Sequence, residues 1–329
     1  MPKTFAWFEG RKRPPSEYEE LTVGLHFGEE ALVHTRVGTW TLDNTRLAGV
    51  PWEDFRDPAQ LHYRSWVALQ DRAERELGAT LDLAASAGFV DGLDPAWRGQ
   101  MAVLVGGLAF AEWGVAMAMQ YVERFCLSSA VGQAAQLQVC DELRHAQRAL
   151  EWADALLGGS RRPCRGDTPR PPGAAGPTAD GDPARAAWME HPALQPLRRA
   201  IEMALTLEDW GEVVVAVNVC LEGLLQPFQR ELWLDTSRKQ ADLATAMLAR
   251  HCWTDEERHL GWTEAFLRFV IEADPSNAAV LQSWLDTHAG AGFEALDALA
   301  AGFPFDGAAE EAAAVARTEQ ASRLKEALG

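Results

Sequence analysis

Two strings in this sequence carry the residue types of a metal site. Asp141-Glu142-Leu143-Arg144-His145 and Asp255-Glu256-Glu257-Arg258-His259 share the pattern DExRH, and both fall where apolar residues recur at helical spacing. In an α-helix, residues i and i+3 project from one face about a turn apart, so Glu142 can share an ion with His145, and Glu256 with His259. One Glu-x-x-His is a weak motif. Two of them, extended to the same five-residue pattern in one chain, are far less accidental. Oxygen donors with two imidazoles suit a pair of iron ions, or less readily manganese, rather than a structural zinc, which favours thiolates.

A four-helix bundle that holds such a pair needs one more carboxylate from each of two further helices, at the same depth. Glu112 stands among Ala, Leu, Phe and Val, where a charge is costly unless paired or metal-bound. The midpoint of 112 and 142 is residue 127, at the Leu127-Ser128-Ser129 break where a turn is expected. Fifteen residues each way is about 22 Å of helix, so the two carboxylates meet at one level. Glu222, in the apolar run 213–225, repeats this with Glu256 about residue 239, in the polar stretch 235–239. The candidate ligands are therefore Glu112, Glu142, His145, Glu222, Glu256 and His259. Asp141 and Asp255 are natural acceptors for the distal N–H of the imidazoles, each expected to serve the histidine of the opposite half. Arg144 and Arg258 would tether these carboxylates and offset the negative charge.

The elements that must position these residues are helices throughout. Helix signals start at Asp57-Pro58, a cap followed by proline at the first helical position, and run through Leu61, Trp66, Leu69 and Ala73. Further helical stretches are read at 77–91, 95–127, 129–158, 190–233, 237–272 and 276–299, with a charged tail helix to 329. No useful length alternates with period two, so the class is all-α. Residues 1–57, rich in Pro, Gly and charge with isolated aromatics, read as an extended N-terminal docking arm with a short strand or two near Leu32–Leu42. Residues 58–329 form the helical domain, interrupted by a flexible Pro/Gly-rich connection at 158–184 that is too poor in large apolar side chains to order itself. It separates two halves, each with a pair of long helices and one DExRH string.

The 329 residues carry 48 acidic against 30 basic side chains, a net charge of −18. That argues against a nucleic-acid surface and against anionic lipid. The five cysteines form no CxxC pair and sit mostly in apolar helical patterns, as reduced thiols of a cytoplasmic protein do. The first twenty residues hold no apolar run of signal-peptide length. The most apolar stretch, Met101 to Met119, contains Glu112 and reads as a buried helix, not a membrane span. Thirteen Trp against three Tyr suggest extensive burial against another subunit, and hence an oligomer.

The double DExRH with two preceding glutamates resembles the hydroxylase chains of bacterial multicomponent monooxygenases, which oxidise toluene, phenol, alkenes or methane. A second resemblance, covering most of the chain, is to the non-catalytic β chain of those hydroxylases. It rests on Arg13-Pro14-Pro15-Ser16-Glu17-Tyr18, the run Trp52 to Tyr63 (WEDFRDPAQLHY), Asp209-Trp210-Gly211-Glu212, and Glu257-Arg258-His259 with Trp262 beyond. The family implies a ferritin-like, ribonucleotide-reductase-like di-iron four-helix bundle with extra flanking helices. It also implies two iron ions that activate dioxygen, and hydroxylation or epoxidation of a small apolar substrate. Family β chains have lost most of the metal ligands, whereas this chain has Glu or His at all six positions. The body is thus β-like and the ligand set α-like. The α chains carry a Thr one turn after the third Glu ligand; here that position is Gln226, followed by Pro227.

Apolar residues beside the ligands, namely Leu108, Ala111, Val115 and Leu221, with Phe125 further along, are the candidate pocket walls. The sequence has no nicotinamide or flavin fingerprint and no iron–sulfur CxxC, so the resemblance implies electrons from a separate reductase or ferredoxin, and a small effector protein. The chain would assemble with itself or with an α-type hydroxylase subunit. Three other readings remain. One is a non-catalytic β-type structural subunit. Another is a ribonucleotide-reductase-like radical protein, although residue 149 is Ala where a radical Tyr would stand. The third is ferritin- or rubrerythrin-like iron handling.

Overall fold

Caps encoded beside the long helices fix where they start. The computed structural model describes residues 16–23, 44–158 and 183–328, and every regular element among them is helical. The strand expected near Leu32–Leu42 and nearly all of the 158–184 connection lie outside the described residues. A short α1 (Glu17–Leu21) is closed by a reciprocal Ser16–Glu19 box. Then come α2 (Tyr63–Ser86) and α3 (Pro95–Phe125). The Asp94 carboxylate accepts from the Trp97 N–H, and Pro95 takes a position whose N–H would be unpaired anyway. Ser128 caps α4 (Ser129–Leu156) in the same way, accepting from Val131. The short α5 (Pro183–Glu190) and α6 (Gln195–Ala204) lead to α7 (Trp210–Lys239), where Asp209 accepts from the N–H groups of Gly211 and Glu212. Asp242 caps α8 (Leu243–Ala273), and α9 (Asn277–Gly302) and α10 (Ala308–Leu328) follow.

Helices α3 and α4 form one antiparallel pair, α7 and α8 the other, and the pairs meet along α4 and α8, which carry the DExRH strings. Around this four-helix bundle, α5 covers α3, α9 covers α6 and the middle of α7, and α10 covers α7 and α8. By length and composition α3 and α7 could cross a membrane, but 78% and 94% of their most apolar windows are buried inside the protein. They are the core helices of the bundle.

Two apolar clusters fill the bundle. One gathers Trp97, Met101, Leu108, Ala111, Trp152 and Leu221 among others, the second Trp52, Val115, Trp210, Trp262 and Trp284. Ala111 belongs to one and Val115 to the other, so Glu112 stands where the two cores meet. Trp52, Trp152, Trp210, Trp262 and Trp284 are at most 3% exposed. Each such ring removes some 150–250 Å² from water, about 4–6 kcal/mol before the entropy cost of ordering. Much of the tryptophan content is thus spent inside this chain, and it no longer argues by itself for a subunit interface.

Several boundaries differ from the sequence reading. Asp57-Pro58 does not start a helix: the Asp57 carboxylate accepts from the Ala59 N–H in a local turn, and Gln60 adopts φ 49°. The helix begins six residues later, capped by His62 and Ser65 in a reciprocal pair, and runs unbroken where two segments were expected. The stretch 190–233 is broken into a short turn at Pro192–Leu194, the helix Gln195–Ala204 and the helix from Trp210; the first break falls at Pro192, which lacks an N–H to donate. The polar stretch 235–239 stays helical; the turn falls at 240–242, with Ala241 at φ 58°. The end of the arm packs on this chain itself. Trp52 lies 4.9 Å from the Trp210 ring, Phe55 lies 5.5 Å from Phe269, and Asn277 exchanges hydrogen bonds with the Ala48 backbone.

One feature was not expected from the sequence. Residues Val215–Glu222 of α7 form a π-helix, a wider turn frequent at functional sites. Gln320 of α10 donates to the Val219 carbonyl at 2.7 Å, satisfying an oxygen of this segment. Gly292 of α9 lets the two backbones approach: a Cβ there would stand 2.0 Å from the Cys220 carbonyl oxygen.

Candidate metal centre

Helices α3, α4, α7 and α8 bring the six candidate ligands to the middle of the bundle, all buried, with Glu142 and Glu256 at zero exposure. One donor atom from each of Glu112, Glu142, His145 and Glu256 lies within 4.8 Å of the others. His145 Nδ1 is 3.3 Å from Glu256 Oε1, 3.5 Å from Glu142 Oε2 and 4.0 Å from Glu112 Oε2. His259 Nδ1 is 3.1 Å from Glu256 Oε2 and 3.3 Å from Glu142 Oε1. Glu142 and Glu256 therefore each turn one oxygen to either imidazole. Glu222 lies outside the four-residue group; its Oε2 accepts from Gln226 Nε2 at 2.5 Å.

Whether these residues fit metal ions can be tested on their unmet hydrogen bonds. Glu112 Oε2, Glu142 Oε2, His145 Nδ1 and Glu256 Oε1 are buried without any hydrogen-bond partner. A buried polar atom left unpaired costs about 1–3 kcal/mol or more, and here three carboxylate oxygens and one imidazole nitrogen converge. Cis donors on a divalent ion with bonds of about 2.1 Å are about 3 Å apart, close to the spacings around His145. Four carboxylates with two neutral imidazoles would also balance two divalent cations. The donor set fits.

The distal sides of the imidazoles are tied crosswise. His145 Nε2 is 3.2 Å from Asp255 Oδ2, and His259 Nε2 is 3.2 Å from Asp141 Oδ2. An imidazole donating from Nε2 to a carboxylate presents the lone pair of Nδ1 to the centre, which is the metal-binding tautomer. Arg144 donates to Asp255, and Arg258 to Asp141 and, at 3.1 Å, to Asp255. Gln70 of α2 donates to both aspartates, at 2.8 and 2.6 Å, and the Trp66 indole N–H donates to Asp141 at 3.0 Å.

The protonation balance follows from crowding. Burial, and then the charges of Glu142 and Glu222, push the Glu112 carboxyl well up; burial with Glu256 and Glu142 does the same to Glu222. Burial also penalises a charged Glu142, but the facing imidazoles of His145 and His259 outweigh that and hold it low. Burial pulls both imidazoles down, yet the facing carboxylates win and raise them, His259 most.

Glu74 of α2 braces this layer from outside, accepting from Arg144 at 3.0 Å and from Arg148 Nε at 2.8 Å. Burial raises its carboxyl, but the two guanidinium groups outweigh burial and hold it below the usual 4.5. A depressed carboxyl contributes stability above the unfolded value, and that contribution is lost as pH falls through the folded one. Glu74→Gln is therefore expected to cost about 1–2 kcal/mol at pH 7. Urea melts should show the gap between wild type and variant closing below about pH 4; a gap independent of pH would remove the charge argument.

Sequence reasoning missed the inner brace. Gln138 donates to Glu142 Oε1 at 3.0 Å and exchanges two hydrogen bonds with Asn218 of the π-helix, at 3.1 and 3.0 Å. Trp262 donates to the Gln138 carbonyl at 3.1 Å, and Asn218 donates to Thr263 at 2.9 Å. The available signal was an amide four residues before a ligand glutamate in each half: Gln138 before Glu142, and Asn218 in an apolar run before Glu222. Of the pocket candidates, Leu108, Ala111, Val115 and Leu221 are buried core residues near the ligands. Phe125 lies 13 residues, about 20 Å of helix, beyond Glu112 and stacks near Tyr121 instead. Cavities of about 340 and 350 Å³ open near Asp94 to Val103, away from the ligands at the start of α3.

A ferritin-like helical bundle with a buried carboxylate–histidine cluster defines the class. The family model described as Methane/Phenol/Alkene Hydroxylase matches residues 34–166 and 172–274, and the chain belongs to that family. It is 24% identical to the toluene-4-monooxygenase hydroxylase component subunit beta of Ectopseudomonas mendocina, over 86% of this chain and 85% of that one. It is 25% identical to an oxygenase component of phenol 2-monooxygenase from Pseudomonas sp. (strain CF600), over 88% and 83%. With the methane monooxygenase component A beta chain of Methylosinus trichosporium it shares 22% over 88% and 75%. Solved structures of toluene 4-monooxygenase with toluene bound and of xenon-pressurised phenol hydroxylase from Pseudomonas sp. OX1 share the fold. Their TM-scores are 0.78 and 0.80, each at 21% identity; the first covers 92% of this chain and 97% of that one, the second 96% and 91%.

Proposed function

We propose that this chain is a metal-bearing hydroxylase component of a multicomponent monooxygenase, with two iron ions held by Glu112, Glu142, His145, Glu222, Glu256 and His259. The observation that carries this is the convergence of four unpartnered buried donor atoms from α3, α4 and α8. Bound there, iron would supply the activation of dioxygen and the oxidising equivalents for inserting one oxygen atom into substrate. The chain's own share is to orient and to exclude water. Glu142 and Glu256 span the two imidazoles, and Asp141 and Asp255 hold the distal ring protons. The two apolar clusters keep the centre dry. Relatives named for toluene, phenol, propane and methane point to a small apolar substrate. Ala111, the smallest side chain beside Glu112, is where such a substrate would approach the centre. Electrons come from a separate reductase or ferredoxin, with a small effector protein and an α-type or identical subunit as further partners. Gln226 keeps a hydrogen bond on Glu222 but has no hydroxyl to relay a proton.

A second reading has its own support: several of the relatives are named beta chain or small subunit. On it the chain supports a catalytic partner and holds no iron. Iron analysis of the purified full chain from iron-replete cells separates the two readings. About two iron per chain, with an optical change when the reduced protein meets oxygen, is expected; iron near zero leaves only the supporting role.

A further inference from the structure

The two ends of the cluster are not equivalent. All four unpartnered atoms surround His145: Glu112 Oε2, Glu142 Oε2, Glu256 Oε1 and His145 Nδ1 itself. At the His259 end the chain supplies its own hydrogens. Glu142 Oε1 accepts from Gln138, and Glu222 Oε2 accepts from Gln226. Gln138 is further locked by Asn218 and Trp262, so its amide cannot turn away without breaking three other hydrogen bonds. Both amides belong to side chains at most 3% exposed, held by the same helices as the ligands.

We infer that the centre loads in order, the His145 end first and tightly, the His259 end second and more weakly, because Gln138 and Gln226 already occupy acceptor positions there. The inference rests on the metal-centre reading above and deepens it. An ion at the His145 end displaces no hydrogen bond and relieves four unpaired atoms. One at the His259 end must share or displace two amide hydrogens on carboxylates, each worth roughly a tenfold factor in equilibrium constant. Gln138 and Gln226 are thus positioning residues: they set the rotation of the Glu142 and Glu222 carboxylates and, with it, the difference between the two steps.

The test is an anaerobic titration of the metal-free full chain with Fe²⁺, and with Co²⁺ as a coloured substitute. Calorimetry and the visible absorption of bound Co²⁺ follow the steps. Two steps are expected, the first tighter by about tenfold or more. His145→Ala should remove the tight step and His259→Ala the weak one. Gln226→Met, which keeps the length of the side chain but donates nothing, should tighten the second step by about tenfold and leave the first alone. Gln138→Met should do the same, but it also strands Asn218 and Trp262, so Gln226→Met is the deciding variant. Two equal steps, loss of the tight step in His259→Ala, or an unchanged gap in Gln226→Met would each overturn ordered loading while leaving the metal centre intact. Absence of any uptake by the folded chain would instead remove the metal reading itself.

Discussion

Glu142→Ala is expected to leave the chain unable to retain a pair of ions. Glu142 lies between the two imidazoles, 3.5 Å from His145 Nδ1 and 3.3 Å from His259 Nδ1, and is fully buried. Its removal takes a donor from both ends at once. Four-ligand protein sites bind with about 10–16 kcal/mol, or some 3 kcal/mol per ligand, so each end should weaken by two orders of magnitude or more. Iron analysis after desalting should fall from about two per chain to below one. The alanine also takes a buried acceptor from Gln138 and a counter-charge from both imidazoles, so the metal-free variant should melt below the metal-free wild type. A variant that keeps both ions would show that Glu142 is not between them.

The second large effect belongs to a residue with no chemistry. Gly292→Ala places a methyl group 2.0 Å from the Cys220 carbonyl oxygen, a backbone atom that cannot rotate aside. Helix α9 must back away or the π segment must shift. Overpacking of this kind costs about 3 kcal/mol, which for a chain of this size is a drop of roughly 4 °C in melting temperature. Gly290→Ala in the same helix is the control: nothing lies within 4 Å of its added methyl, and an exposed helical glycine replaced by alanine gains about 0.5–1 kcal/mol. Because Cys220 is two residues from Glu222, the Gly292 variant should also lose metal from the His259 end. Equal melting temperatures for the two variants would mean that the two backbones are not in such close contact.

The buried Glu and His cluster was legible in the sequence because chemistry and periodicity agreed there. Two identical Glu-x-x-His strings fix four residues. The demand for a carboxylate at equal depth on a neighbouring helix singled out Glu112 and Glu222, which the fold places in the same buried centre. The helical class was legible for the same reason. What escaped were contributions made from outside a repeating pattern. Gln70, Trp66 and Glu74 reach the centre from α2, a helix that belongs to neither antiparallel pair and whose polar residues look like any solvated face. The π segment escaped because a period of 3.6 was assumed throughout; its only trace was Asn218 among valines. The helix start at Tyr63 was misplaced because Asp57-Pro58 has the letters of a cap, while the Asp57 carboxylate is engaged in a turn.

The bond from Gln320 to Val219 sets an order of events during synthesis. Its acceptor emerges from the ribosome 101 residues ahead of its donor. Until α10 arrives, that oxygen of the segment leading to Glu222 lacks its amide donor. The π segment beside Glu222 can therefore take its final set of hydrogen bonds only after α10 has been made, so this wall of the buried cluster closes late in synthesis.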